Sequence, residues 1–139
     1  MRLKLLAVSP EVEAVIATAM LTTSSKRKPH EIFEDLRKRP DRVEKLLRKM
    51  ILKHGSVLEH NRLVFLAEGS EEEILELLLT DRFFEVSRLG EGKWLVSCNL
   101  RTLVSALADD LPGEVREAFS EALRTASPVL WERVMAHGG

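Results

Sequence analysis

The spacing of apolar residues changes period several times along this chain, and the changes divide it into a strand, several helices, a small sheet and two closing helices. Arg2–Val8 alternates apolar and polar side chains, which predicts a short strand. Ser9-Pro10-Glu11 has the make-up of a helix start: a hydroxyl to cap, a proline for the first turn and an acid for the positive end of the dipole. The helix it would open carries Val12, Val15, Ile16 and Met20 on one face. Residues 24–29 read as a polar loop, and residues 30–38 as a short helix closed by Pro40. Asp41 and Glu44 have capping-box spacing, and Val43, Leu46, Leu47, Met50 and Ile51 form an amphipathic stripe behind them. Gly55 stands where a glycine would end that helix.

Ser56 and Glu59 repeat the capping-box spacing and predict a single turn, followed by a strand over residues 62–67. Ser70 and Glu73 repeat it again, ahead of Ile74, Leu75, Leu77, Leu78 and Leu79. Two further strands, residues 84–88 and 93–98, flank Leu89-Gly90-Glu91-Gly92, a hairpin turn. Strand alternation then puts Trp94, Val96 and Cys98 on one buried face. Asn99 suits the N-cap of a helix over residues 100–108. A turn at 109–113 and helices over 114–125 and 128–137 complete an α+β pattern, a small antiparallel sheet packed with helices in a single domain spanning residues 1–139.

Charge and composition narrow the function classes. At 139 residues the chain is long enough to bury a core, and its net charge of −1 gives no global electrostatic case for nucleic acid or an anionic membrane. Cys98 is the only cysteine, which excludes an internal disulfide and fits a reducing, cytoplasmic compartment. The N-terminal residues reach a proline and two acids too early for a signal peptide, and no apolar run approaches the ~20 residues of a membrane span. Frequent Arg, Glu and Leu hint at a thermophilic source.

The densest candidate chemistry is His54, Ser56, Glu59 and His60, packed around a helix end where unpaired backbone carbonyls and N–H groups face one another. Such a place can hold a polar ligand, although Ser56 and Glu59 also fit a plain capping box and His54 a cationic cap of the last turn. Metal-binding histidine pairs at helical spacing are absent, and one Cys98–His60 pair is poor support for zinc. Phosphate-binding glycine motifs are absent too. Lys26-Arg27-Lys28 could meet a phosphate but reads as solvated surface; Cys98, Trp94 and Trp131 read as core, and Arg82 and Arg88 as surface ion-pair residues.

Read in order, His54-Gly55-Ser56-Val57-Leu58-Glu59-His60 and Asn99-Leu100-Arg101-Thr102-Leu103 resemble the flavin-dependent thymidylate synthases, the ThyX family. The resemblance implies a ThyX-like fold, conversion of dUMP to dTMP with FAD, reduced nicotinamide and methylene-tetrahydrofolate, and sites assembled between subunits of a homo-oligomer. It places Thr22, His54, Ser56, Glu59, Arg82, Asn99 and Arg101 on the flavin side. Thr22 comes from Thr18-Ala19-Met20-Leu21-Thr22, matched to the family's A-A-R-x-[CS], so that Met20 stands for the arginine. The family signature R-H-R-x-x-S-x-x-x-x-S-x-R is largely erased. Its leading residues fall on Thr80, Asp81 and Arg82, its serines on Glu85 and Gly90, and its last arginine on Gly92. Ser87 and Arg88 are candidate shifted relics on the substrate side. The family's catalytic arginine beyond N-x-R falls on Asp110.

Phosphate recognition needs cations or several N–H donors, so Thr80, Gly92 and Asp110 leave a nucleotide without its clamp. The implied function is a homologue with lost or altered activity and at most residual flavin or nucleotide binding. Any ligand is expected where His54, Ser56, Arg82, Asn99 and Arg101 converge, across an interface with a second copy. The expected partners are the chain itself and a small nucleotide, with neither nucleic acid nor membrane. The alternatives are a non-catalytic oligomeric scaffold or regulatory subunit, and an enzyme acting on another small molecule through Arg82, Arg88 and His54.

Overall fold

The computed structural model describes residues 1–52 and 55–138. Four strands, β1 (Arg2–Val8), β2 (Leu63–Glu68), β3 (Glu85–Gly90) and β4 (Lys93–Cys98), form one antiparallel-paired sheet in the order β1-β2-β4-β3. The helices are α1 (Val12–Thr22), α2 (Pro29–Leu36), α3 (Pro40–Lys49), α4 (Glu71–Thr80), α5 (Leu100–Leu107), α6 (Gly113–Ala126) and α7 (Pro128–Gly138). Gly55–Leu58 is a single 3-10 turn. The class is α+β, as the residue pattern requires.

Strand register builds the core row by row. Leu3, Ala67, Trp94 and Arg88 align across the sheet, then Leu5, Phe65, Val96 and Val86, then Val8, Leu63 and Cys98. Side chains opposite one another share a face, and on this face Phe65, Ala67, Val96, Cys98 and Leu63 are fully buried. Phe119 of α6 meets Phe65 at 5.5 Å and Phe84 at 5.9 Å between ring centroids, tying helix, central strand and the entry to β3 together. The expected face of Trp94, Val96 and Cys98 is therefore the buried one.

Local chemistry sets several element ends as the sequence suggests. Ser70 and Glu73 form a reciprocal capping box at the start of α4, and Asn99 caps α5 by accepting from the Thr102 N–H at 2.9 Å. Ser127, fully buried, accepts from Leu130 N–H in the first turn of α7 and donates to Glu13 at 2.6 Å.

Other ends differ, and each difference has a cause. Ser9 does not cap α1, because it exchanges hydrogen bonds with the Arg62 backbone beside β2, and Glu11, at φ 57°, precedes the helix. Asp41 and Glu44 make no capping box: α3 starts at Pro40 behind Arg39, and Glu44 pairs with Arg48 one turn on. Gly55 does not end α3. The helix stops at Lys49, where Met50 turns extended, and Ile51 leaves the stripe to stand 61% exposed.

The hairpin is a two-residue loop, Glu91-Gly92, between paired Gly90 and Lys93. Gly92 takes φ +69°, while its carbonyl accepts from Gly69 N–H at 3.0 Å and the Trp94 indole donates to Gly69 O at 3.1 Å. Among the described residues no helix is long and apolar enough to cross a membrane.

A left-handed backbone costs an L-residue ~1–2 kcal/mol. Gly92→Ala is therefore expected to destabilise by about that amount. Gly90→Ala, where an added methyl meets nothing within 4 Å, should change stability by under about 0.5 kcal/mol. Urea denaturation of both variants checks this, and equal losses would show that the turn does not depend on Gly92.

Candidate functional site

One end of the sheet collects polar side chains from four strand ends. The Val8–Leu63–Cys98 row is the last in the core, and β3 enters beside it with Glu85 opposite Ser97. Ser9, Asn61, Arg62, Glu85 and Asn99 therefore gather at this end, and Arg62 pairs with Glu85 at 2.9 Å.

Asn61 organises the group. Its amide nitrogen donates to Leu58 O at 3.0 Å, and its oxygen accepts from Leu100 N–H at 2.8 Å. One side chain thus joins the end of the 3-10 turn to the first residue of α5. Arg101, one residue further, lies over the turn: a Cβ built on buried Gly55 would sit 3.2 Å from its Nε. Its guanidinium donates to Glu59, and both side chains are about half exposed. Ser56 and Glu59 do not form a capping box, because the Glu59 carboxylate turns to Arg101 and only the Glu59 backbone N–H returns to Ser56 O, at 3.2 Å.

Of the flavin-side candidates, Ser56, Glu59, Asn99 and Arg101 stand on this joint between turn and helix. His54 lies outside the described residues. Thr22 is at the end of α1, its hydroxyl returning to Ala19 O at 3.0 Å, and Met20 packs against the core. Arg82 is exposed just ahead of β3 with its guanidinium 4.8 Å from the Phe83 ring centroid. No hydrogen bond or ion pair among the described residues connects Arg82 or Thr22 to Arg101. Ser87 and Arg88 are further along β3, and Arg88 stacks over Trp94 while pairing with Glu71 at 2.6 Å. The pattern of residues gave no sign of the tie made by Asn61; a lone asparagine between a turn and a strand reads as loop chemistry.

The helix start is also less open than its position implies. Leu100 N–H is taken by Asn61, Thr102 N–H by Asn99, and Leu103 N–H by the Asn99 carbonyl. Fewer donors are left for an anion than an uncapped helix offers.

Thr80 and Asp110 lie elsewhere. They line a cavity of ≈ 230 Å³ with Glu73, Glu76, Leu77 and Val115, on the α4 and α6 side. The Met1 amine donates to Glu73 at 2.5 Å, and this bond, with one from the Ser70 backbone, holds the Glu73 carboxyl below its ordinary range. A cavity with these carboxylates repels a phosphate.

No family model matches the chain, and no curated protein matches it. Its fold is similar to the crystal structure of PolB from Streptomyces cacaoi, a UMP/dUMP methylase bound with 5-Br dUMP, with a TM-score of 0.70 over 98% of this chain and 95% of that one. Identity is 15%, so what is shared is the fold.

Cys98 sits beside the polar end but faces the core. Burial pushes its thiol up to about 12, against a smaller opposing effect of Arg62. In the unfolded chain the thiol ionises near its ordinary value of 9.0. Between the two values the unfolded state has released a proton that the folded state retains, so stability falls as pH rises through that window. Wild type is expected to lose more stability than Cys98→Ala between pH 8 and pH 10.5 in urea titrations. The native thiol should react with a disulfide reagent only at the rate of unfolding. Parallel pH profiles, or prompt native labelling, would place Cys98 in contact with solvent.

Proposed function

We propose that this chain is a homologue of nucleotide-methylating proteins that keeps their fold, does not methylate dUMP by itself, and retains weak binding of a flavin or nucleotide at the Arg101 end of the sheet. The observation carrying this reading is the distribution of charge. Where the resemblance to flavin-dependent thymidylate synthases puts arginines, Thr80 and Asp110 line an acidic cavity. At the flavin-side end Arg101 is matched by Glu59 and Arg62 by Glu85. Similarity of the whole fold to a UMP/dUMP methylase supports a nucleotide-related origin.

The residues that would hold a flavin are Ser56, Asn99 and Arg101, with Thr22 and Arg82 reaching the group only from other elements. Bound FAD would supply hydride chemistry. The protein's part would be to orient a phosphate against the Arg101 guanidinium and the polar turn at Ser56. Glu59 competes for that guanidinium, and binding must pay to part them. Affinity is therefore expected to be no tighter than roughly 10 µM, about 7 kcal/mol.

A second reading, a non-catalytic oligomeric scaffold, draws on apolar residues left in solvent. Leu75 and Leu79 of α4 are 56% and 78% exposed, and Phe83 just beyond it is 54% exposed. Exposed apolar groups of this size gather at sites of association.

Three measurements separate these readings. A thymidine-requiring bacterial strain should not grow on this chain without thymidine; growth would overturn the loss of methylation. FAD titration should show weak saturable binding, abolished by Arg101→Ala and strengthened severalfold by Glu59→Gln, which removes the competing charge. Absent binding combined with concentration-dependent mass in sedimentation would make the scaffold the correct account.

A further inference from the structure

The net charge of −1 conceals a strong asymmetry. Residues 26–49 hold ten Lys and Arg against five Asp and Glu, so this stretch carries +5 and the remainder −6. It comprises the end of the loop after α1, then α2 and α3. Several of its cations are spoken for: Arg37 pairs with Glu11 and Glu34, Arg39 with Asp35, and Arg48 with Glu44 and Glu132. Lys26 and Arg42 have no ion pair among the described residues.

These two line one concavity. The space between the end of α1, the following loop, α2 and α3 has a volume of ≈ 400 Å³. Half-buried Leu21 forms its apolar part, above the core residues Ile32 and Leu36, and Ser24, Ser25, Lys26, Arg27 and Arg42 form its polar part. Arg27 N–H donates to Ser25 Oγ at 3.1 Å, which leaves the Ser25 hydroxyl proton free to donate. The one carboxylate in the wall, Asp35, is shared by Arg27 at 3.5 Å and Arg39 at 3.6 Å. A pocket with two uncommitted cations, a hydroxyl donor and an apolar wall has the chemistry of a phosphate ester site, charge toward the anion and carbon toward the ligand body.

We propose that this cavity binds a small phosphomonoester, with Lys26 and Arg42 on the phosphate, Ser25 donating to it, and the half-buried Leu21 against its carbon skeleton. The surrounding lysines raise the local concentration of anions and speed their capture. The volume suits a sugar phosphate or a compact mononucleotide. A nucleic-acid strand is disfavoured because no aromatic residue lines the cavity to stack a base. This site shares no residue with the Arg101 group and stands whether or not that group binds a nucleotide.

The test is isothermal titration of the full chain with ribose 5-phosphate, inorganic phosphate, ribose and a short single-stranded oligonucleotide, at low and moderate salt. The expected result is saturable binding of ribose 5-phosphate, weaker binding of phosphate and none of ribose. The double variant Lys26→Ala, Arg42→Ala should weaken ribose 5-phosphate at least tenfold. Arg42→Lys should lose less than Arg42→Ala, and Lys93→Ala, at the hairpin, should lose nothing. All three positions, Lys26, Arg42 and Lys93, are exposed, and unchanged thermal unfolding certifies that each variant folds. No saturable binding, an equal loss in Lys93→Ala, or binding that survives the double variant would overturn the site. Tighter binding of the oligonucleotide, growing with its length, would overturn it in favour of a polyanion surface.

Discussion

Everything at the polar end of the sheet depends on β2 and β4 pairing in one register. Leu63 lies opposite Cys98, so the residues just outside the ladder, Asn61 and Asn99, become neighbours although 38 positions apart in the sequence. A shift of one residue would turn Leu63, Phe65 and Ala67 to solvent, and burial forbids it. The same register that closes the core hands Asn61 the first N–H of α5. Fold and candidate site are one constraint seen from two sides.

That constraint explains which parts were legible in the residues. The strands, the hairpin and the Asn99 cap follow from alternation and from single-residue chemistry, which act over a few positions. The capping boxes at Asp41 and Ser56 fail because each residue lies inside its turn rather than just before it, Asp41 after Pro40 and Ser56 after Gly55, and the carboxylates of Glu44 and Glu59 pair instead with Arg48 and Arg101. At Ser70 the box forms, because Glu73 bonds both the Ser70 N–H and its hydroxyl while still reaching the Met1 amine. Spacing states which bonds are available; where each turn starts, and which partners the fold brings near, decide which are made.

The candidate site was harder to read for the same reason. The motifs name Ser56, Glu59, Asn99 and Arg101 in two segments, and the fold does bring these four onto one joint. It leaves Thr22 and Arg82 on other elements, where a motif match carries no information about distance. The link that makes the joint, Asn61, belongs to neither motif, and only the pairing of β2 with β4 reveals it.

Charge balance then distinguishes what the fold can do from what it resembles. The relative orientation of sheet and helices matches a UMP/dUMP methylase over nearly the whole length of both chains, yet a fold carries no activity without the groups that meet the substrate. At the Arg101 end, Arg101 and Arg62 each hold an internal carboxylate, so an anion approaching either must displace a partner. Beside the concavity at α2 and α3, Lys26 and Arg42 make no ion pair among the described residues, although Arg27, Arg37, Arg39 and Arg48 of the same stretch are paired. Among the described residues, the concavity with uncommitted cations therefore lies apart from the joint that the motifs name.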